Sequence, residues 1–243
     1  MKNIMYVVSV ALLSLPYAST AENTVANFFQ ASGSFFEKRV SGGSINYTAI
    51  KQNFEEIEAL YEQINNMALS NASDTEKKAF YINAYNLIVI HQVAKYYPLK
   101  SPMDQSGFFD KVKHQVAGEA MTLNYLEIKK IIIPYQDPRI HFVLACAARG
   151  CPKLANFSYT PDHLDQQLTT RTKLALNDPA FTKVNNTEKK VEISKIFDWY
   201  KKDFTQGGMS VLSFINQYRD EPIPTSYAIA FYEYDWQLND TRN

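Results

Sequence analysis

The chain has 243 residues, 46% of them apolar or aromatic, which suits one domain with appendages and a core that folds without staples. Lysine plus arginine number 25 and aspartate plus glutamate 25, a balance that removes any electrostatic case for nucleic acid or an anionic membrane surface as partner. Eight glycines without a repeat exclude a low-complexity or solenoid chain, and neither a phosphate-cradling glycine loop nor a His-Glu-x-x-His helix occurs.

The chain opens with MKNIMYVVSVALLSLPYASTAEN. Lys2, the apolar run Ile4 to Leu15 and the small residues Ser19-Thr20-Ala21 are the three parts of a secretory signal. The run is shorter than the ~20 residues a membrane span needs. Residues 1–21 are therefore expected to be a signal peptide, leaving a periplasmic or secreted chain with no membrane insertion after cleavage. Residues 22–46 are expected to form an N-terminal helical extension, and 47–243 a single α+β domain.

In chain order, Glu22 to Val40 is predicted helical and is broken by SGGS at 41–44. Tyr47 to Met67 places Ile50, Phe54, Ile57, Leu60, Tyr61 and Ile64 on one helical face. A helix over about 76–97 follows, ended by Pro98. VKHQVAGEAMTL predicts a hairpin turning at Ala117-Gly118-Glu119, and Thr122 or Asn124 then caps a helix, with Asn124 and Glu127 spaced as a capping box. Ile140 to Cys146 predicts a buried strand. Thr160-Pro161 opens another helix, Phe181 to Ile193 a second hairpin, Ser194 a short helix KIFDWYKKDF, and Ser226 to Tyr234 a last strand. Helices first and hairpins later give an α+β class, not a βαβ series.

Chemistry concentrates in RIHFVLACAARGCPKL, residues 139–154, which holds His141, Arg149 and both cysteines, Cys146 and Cys151. On a strand, His141 and Cys146 point to opposite faces about 16 Å apart, so a thiol working with His141 would be Cys151, returned by the turn at 147–150. Two readings stay open. Cys146 and Cys151 can simply oxidise to each other in an exported chain, with His141 a satisfied core histidine, or Cys151 can be a working thiol. A metal site on His141, Cys146 and Cys151 lacks a fourth ligand and a common zinc spacing, so no metal or cofactor is expected. On the long helix, Asn83 and Asn86 interrupt an apolar face; they either tie down a loop or orient a catalytic group. Asp198 beside Trp199 could orient an imidazole or pair on the surface.

Taken together, KAFYINAYNLIVI, MTLNYLEIKKII, DPRIHFVLACAARGCPKL, VEISKIFDWYKKDF and YEYDWQLND resemble the domain-of-unknown-function family numbered 547, in the family's order. The resemblance implies exported bacterial proteins and eukaryotic relatives joined to leucine-zipper or glutaredoxin-like segments. It implies that a cysteine pair kept also in reducing compartments has a redox or nucleophilic role. This chain departs from the family pattern with Tyr81 in place of a tryptophan and Gly150 in place of a serine. A looser analogy links the order of Asn83 helix, His141 strand and Asp198 to papain-like or transglutaminase-like hydrolases.

The leading expectation is a thiol-dependent hydrolase or transferase acting on an amide or ester. Cys151 is its nucleophile, His141 its base and Asp198 its orienter, with Arg149 favouring the thiolate and Asn83 or Asn86 donating to the oxyanion. The alternatives are a non-catalytic module with a Cys146–Cys151 disulfide and Trp199 beside a peptide, glycan or small-molecule groove, or a thiol redox protein.

Overall fold

A computed structural model describes residues 24–241; the expected signal segment lies outside the described residues. The first half is built around one long helix. Helix α1 (Val25–Arg39) starts at Thr24, whose side chain accepts from the Asn27 amide, and ends in a two-stranded turn, β1 (Val40–Ser41) against β2 (Ser44–Ile45). The helix expected over 47–67 is split into α2 (Tyr47–Gln52) and α3 (Phe54–Asn65). Asn53 leaves helical geometry at φ −123°, ψ 52°, and its side-chain amide donates to the Ala49 carbonyl. An asparagine that bonds its own preceding turn competes with helix continuation.

Helix α4 (Asp74–Tyr96) is the central element. A reciprocal Ser73–Glu76 capping box starts it. From Phe80 to Ala94 nearly every side chain is buried, the signature of a helix surrounded by protein. Phe28, Phe35 and Phe36 of α1, and Ile57, Leu60 and Ile64 of α3, pack into the same core as Phe80, Ile82 and Ile88 of α4. The segment expected as an extension thus contributes to the first core.

The hairpin β3 (Lys113–Val116) with β4 (Glu119–Thr122) has the expected place, closed by Ala117 and Gly118, both at positive φ. A continuous helical run follows: α5 (Leu123–Tyr125), a π-helical stretch Leu126–Ile132, and α6 (Ile133–Tyr135). Thr122 caps it through the Tyr125 amide, so the Asn124–Glu127 capping box does not form. Widening to a π turn re-aims side chains, and Glu127 faces inward at 9% exposure.

The expected strand over 140–146 is absent. Pro138–Phe142 is a 3-10 turn started by Asp137, whose side chain accepts from the Arg139 amide, and the chain beyond it is irregular. Apolar content marked this segment as buried, which it is, but its backbone hydrogen bonds, among them those of Val143 and Ala145 to Asn86, are made without a neighbouring strand.

Helix α7 (Leu164–Asn177) leads to a three-stranded sheet, in which β5 (Thr182–Asn185) pairs antiparallel with β6 (Lys190–Ile193) and β7 (Ala228–Phe231) lies parallel to β6. Between β6 and β7 come α8 (Ile196–Trp199), α9 (Lys201–Phe204) and α10 (Val211–Asn216). Phe142, Phe197, Phe204 and Phe214 form a second core with Val191 and Ile193. Residues 140–144 run between the two cores, Ile140 and Val143 belonging to the first and Phe142 to the second. This α+β arrangement agrees with the expected class. No helix among the described residues is long and apolar enough to cross a membrane.

Candidate functional site

Two asparagines of α4 hold the irregular chain in place. The Asn86 amide donates to the Val143 carbonyl (2.9 Å) and its oxygen accepts from the Ala145 amide (2.8 Å). Asn83 makes the same pair of bonds to the carbonyl and amide of Tyr159. Each side-chain amide thus acts as a one-residue substitute for a strand neighbour, so 143–145 can be buried without a sheet. Both asparagines are wholly buried and neither borders the cleft described below.

The tied segment leads into the cysteine loop, where Cys146 and Cys151 are joined by a disulfide. The Cys146 amide donates to Cys151 Sγ at 3.0 Å, and the Tyr234 hydroxyl lies 3.1 Å from Cys146 Sγ and 3.2 Å from Cys151 Sγ. Bonded sulfurs carry no proton, so the tyrosine is the donor. The C-terminal chain lies along this loop: the amides of Arg149 and Gly150 donate to the carbonyls of Gln237 and Asp235. A Cβ on Gly150 would stand 3.0 Å from the Asp235 amide nitrogen and 3.1 Å from the Tyr234 ring. Glycine here permits the close approach that sets Tyr234 over the sulfurs.

The disulfide borders a cleft of about 610 Å³ between the helical run at 123–135, the loop at 103–110, α8 and the C-terminal chain. One wall is aromatic. Trp199, Tyr234 and Trp236 have ring centroids 4.9–6.1 Å apart, and Phe109 lies 6.5 Å beyond Trp236. Also on the cleft, Glu127 accepts from the Tyr200 hydroxyl (2.7 Å) and the Tyr85 hydroxyl (3.2 Å). Burial raises both phenols, and the adjacent Glu127 charge raises them further, so they stay protonated and act as donors. Burial raises the Tyr234 phenol as well.

His141 also borders the cleft. Its ring lies 4.2 Å from that of Tyr200, and Nε2 is 2.8 Å from Asp203 Oδ2. The expected orienter Asp198 is exposed on α8 and does not border the cleft. The two aspartates are on opposite sides of Tyr200, which leaves helical geometry at φ −109°, ψ 29° and separates α8 from α9. The break turns Asp203 inward. His141 rides on a 3-10 turn, so the strand-borne histidine of the papain-like comparison is missing too. Arg149 is exposed and bonded to Gln237 Oε1 (3.1 Å), outside this cleft.

Of the residues expected at a site, the fold brings His141, Cys146, Cys151 and Trp199 to one cleft, and places Asn83, Asn86, Arg149 and Asp198 elsewhere. Glu127, Tyr85, Tyr200, Asp203, Tyr234 and Trp236 complete the surroundings unforeseen. The sequence marked them only as parts of helices, a strand and the family-like segments, with Glu127 as a cap, and Glu127's position in an otherwise ordinary helix gave no sign of the π turn.

The structure thus defines an α+β protein with an aromatic cleft bordered by a disulfide. Residues 69–174 match the family model described as protein of unknown function, DUF547. No curated protein and no solved structure matches the chain. The matched span includes Asn83, Asn86, Glu127, His141 and both cysteines, while Trp199, Asp203, Tyr234 and Trp236 lie beyond it.

Proposed function

We propose that this protein is an exported ligand-binding module whose cleft, shaped by the Cys146–Cys151 disulfide, takes a peptide, a glycan or another small organic ligand. The observation that carries the reading is the union, in one open cavity, of a three-ring wall with a bonded sulfur pair. Pockets of 300–1,000 Å³ lined by aromatic groups with a few polar anchors are the usual form of small-molecule sites, and this cleft falls in that range. Export fits the disulfide, which persists in oxidising compartments.

In the hydrolase reading Cys151 is the nucleophile, but with its sulfur bonded to Cys146 it has no thiolate to offer. That reading requires reduction first, and then His141, paired to Asp203, as base. The bonded pair on the cleft border favours, as second reading, a redox protein that cycles it.

The test is titration of the unreduced protein with peptide and oligosaccharide panels, read by the fluorescence of its two tryptophans, Trp199 and Trp236. Saturable quenching or enhancement that is lost when Trp199→Ala is introduced supports the module. Absence of any saturable response from both panels, with ester or amide turnover appearing after reduction and vanishing in Cys151→Ala, would replace it with the thiol enzyme.

A further inference from the structure

We infer that the cleft is built for a ligand bearing an alkylammonium group, with Glu127 as its counter-ion and the aromatic wall against its cationic end. This deepens the binding reading and rests on it.

The charge of the lining comes first. Among the described residues, Glu127 and Asp110 border the cleft and no lysine or arginine does. His141 is engaged through Nε2 with Asp203. The two recorded partners of the Glu127 carboxylate are neutral phenols, Tyr85 and Tyr200. Hydroxyl donors satisfy lone pairs without cancelling charge, so the field of a carboxylate that is 9% exposed reaches into the cavity. A buried charge without an opposite charge is costly, and an entering cation relieves that cost more than any neutral ligand does.

The wall is the independent second feature. The faces of indole and phenol rings carry negative quadrupole density and attract ammonium groups, tryptophan most strongly. Both tryptophans of the chain are in this wall, and Trp199 is 48% exposed at the rim. Such a half-exposed indole suits the approach of a cation on an apolar stem. An anionic ligand meets like charge from Glu127 and Asp110, and a neutral glycan leaves the carboxylate uncompensated.

The experiment uses the full, unreduced protein and tryptophan fluorescence. Two matched pairs serve as probes: hexylamine against 1-hexanol, and end-blocked Gly-Lys-Gly against the same peptide with the lysine Nε acetylated. Each amine is expected to bind at least about tenfold more tightly than its neutral counterpart. The tighter of the two amines shows whether the group arrives free or on a peptide. Glu127→Gln, which keeps an acceptor for the tyrosines, is expected to reduce the preference to within about twofold. Should that variant fail to fold, Trp199→Leu on the rim is expected to weaken the amines more than the neutral probes and so to narrow the preference. Equal binding of amine and neutral partner, or a preference that survives Glu127→Gln or Trp199→Leu, overturns the inference and leaves the binding module standing. No response to these probes, joined to no response to the peptide and glycan panels, overturns both.

Discussion

Replacing both cysteines by serine isolates what the Cys146–Cys151 bond contributes. The bonded residues are separated by 5 positions in sequence. In the chain-entropy relation, so short a loop removes conformational freedom from the unfolded chain equivalent to about 2 kcal/mol at 25 °C. Serine keeps an acceptor where Tyr234 donates to both sulfurs, so loop closure is the main quantity changed. For a chain of this size, about 2 kcal/mol corresponds to a melting shift of roughly 4–8 °C. Urea denaturation of the native protein and the double variant, each with and without dithiothreitol, measures it. The native protein should lose the full amount on reduction and the variant none. A double variant as stable as the oxidised native protein would refute the reasoning, because the loop would then be ordered without the bond. The same samples test the cleft: loosening Tyr234 and the loop beneath it should weaken ligand binding.

Three other outcomes follow from the geometry. Asn86→Ala should cost about 2–4 kcal/mol, since it leaves the Val143 carbonyl and the Ala145 amide buried without partners; a loss under about 1 kcal/mol, measured by urea denaturation, contradicts the tie. Asp203→Ala should cost about 1–3 kcal/mol by stranding buried His141, whereas Asp198→Ala on the exposed face stays within about 0.5 kcal/mol; equal effects overturn the assignment of Asp203 as the histidine's partner. Burial acts against ionisation of Asp137, but hydrogen bonds and charge from Arg139 and Lys78 outweigh it and hold the carboxyl at about 2, below its ordinary value. A depressed carboxyl stabilises the fold above its unfolded pKa near 4, and this stability, about 2 kcal/mol, is lost as pH falls through 4 towards 2. Native and Asp137→Asn stabilities should therefore converge across that window, and parallel curves would contradict it.

Where short-range rules govern it, the local structure of the first half was legible. Pro98 follows the end of α4 and Ala117-Gly118 closes a hairpin, each within a few residues of its cause, whereas the Ser73–Glu76 start of α4 was not read from the sequence. The buried character of 140–146 was legible from composition, but its conformation was not. A strand and an irregular segment tied by Asn86 bury the same apolar residues, and only the three-dimensional position of Asn86 decides between them.

By itself the sequence determined the α+β class, the long central helix, the candidate stretch at 139–154 and the short list that included His141, Cys146, Cys151 and Trp199. The tertiary structure decided which of these meet, and with what. It bonded Cys146 to Cys151, exchanged Asp198 for Asp203 through a break at Tyr200, turned Glu127 inward on a π turn, and laid Tyr234 and Trp236 across the loop from the far end of the chain. Periodicity and capping report only on neighbours along the chain. A cleft assembled from residues 85 to 236 depends on packing between elements, which no local pattern records.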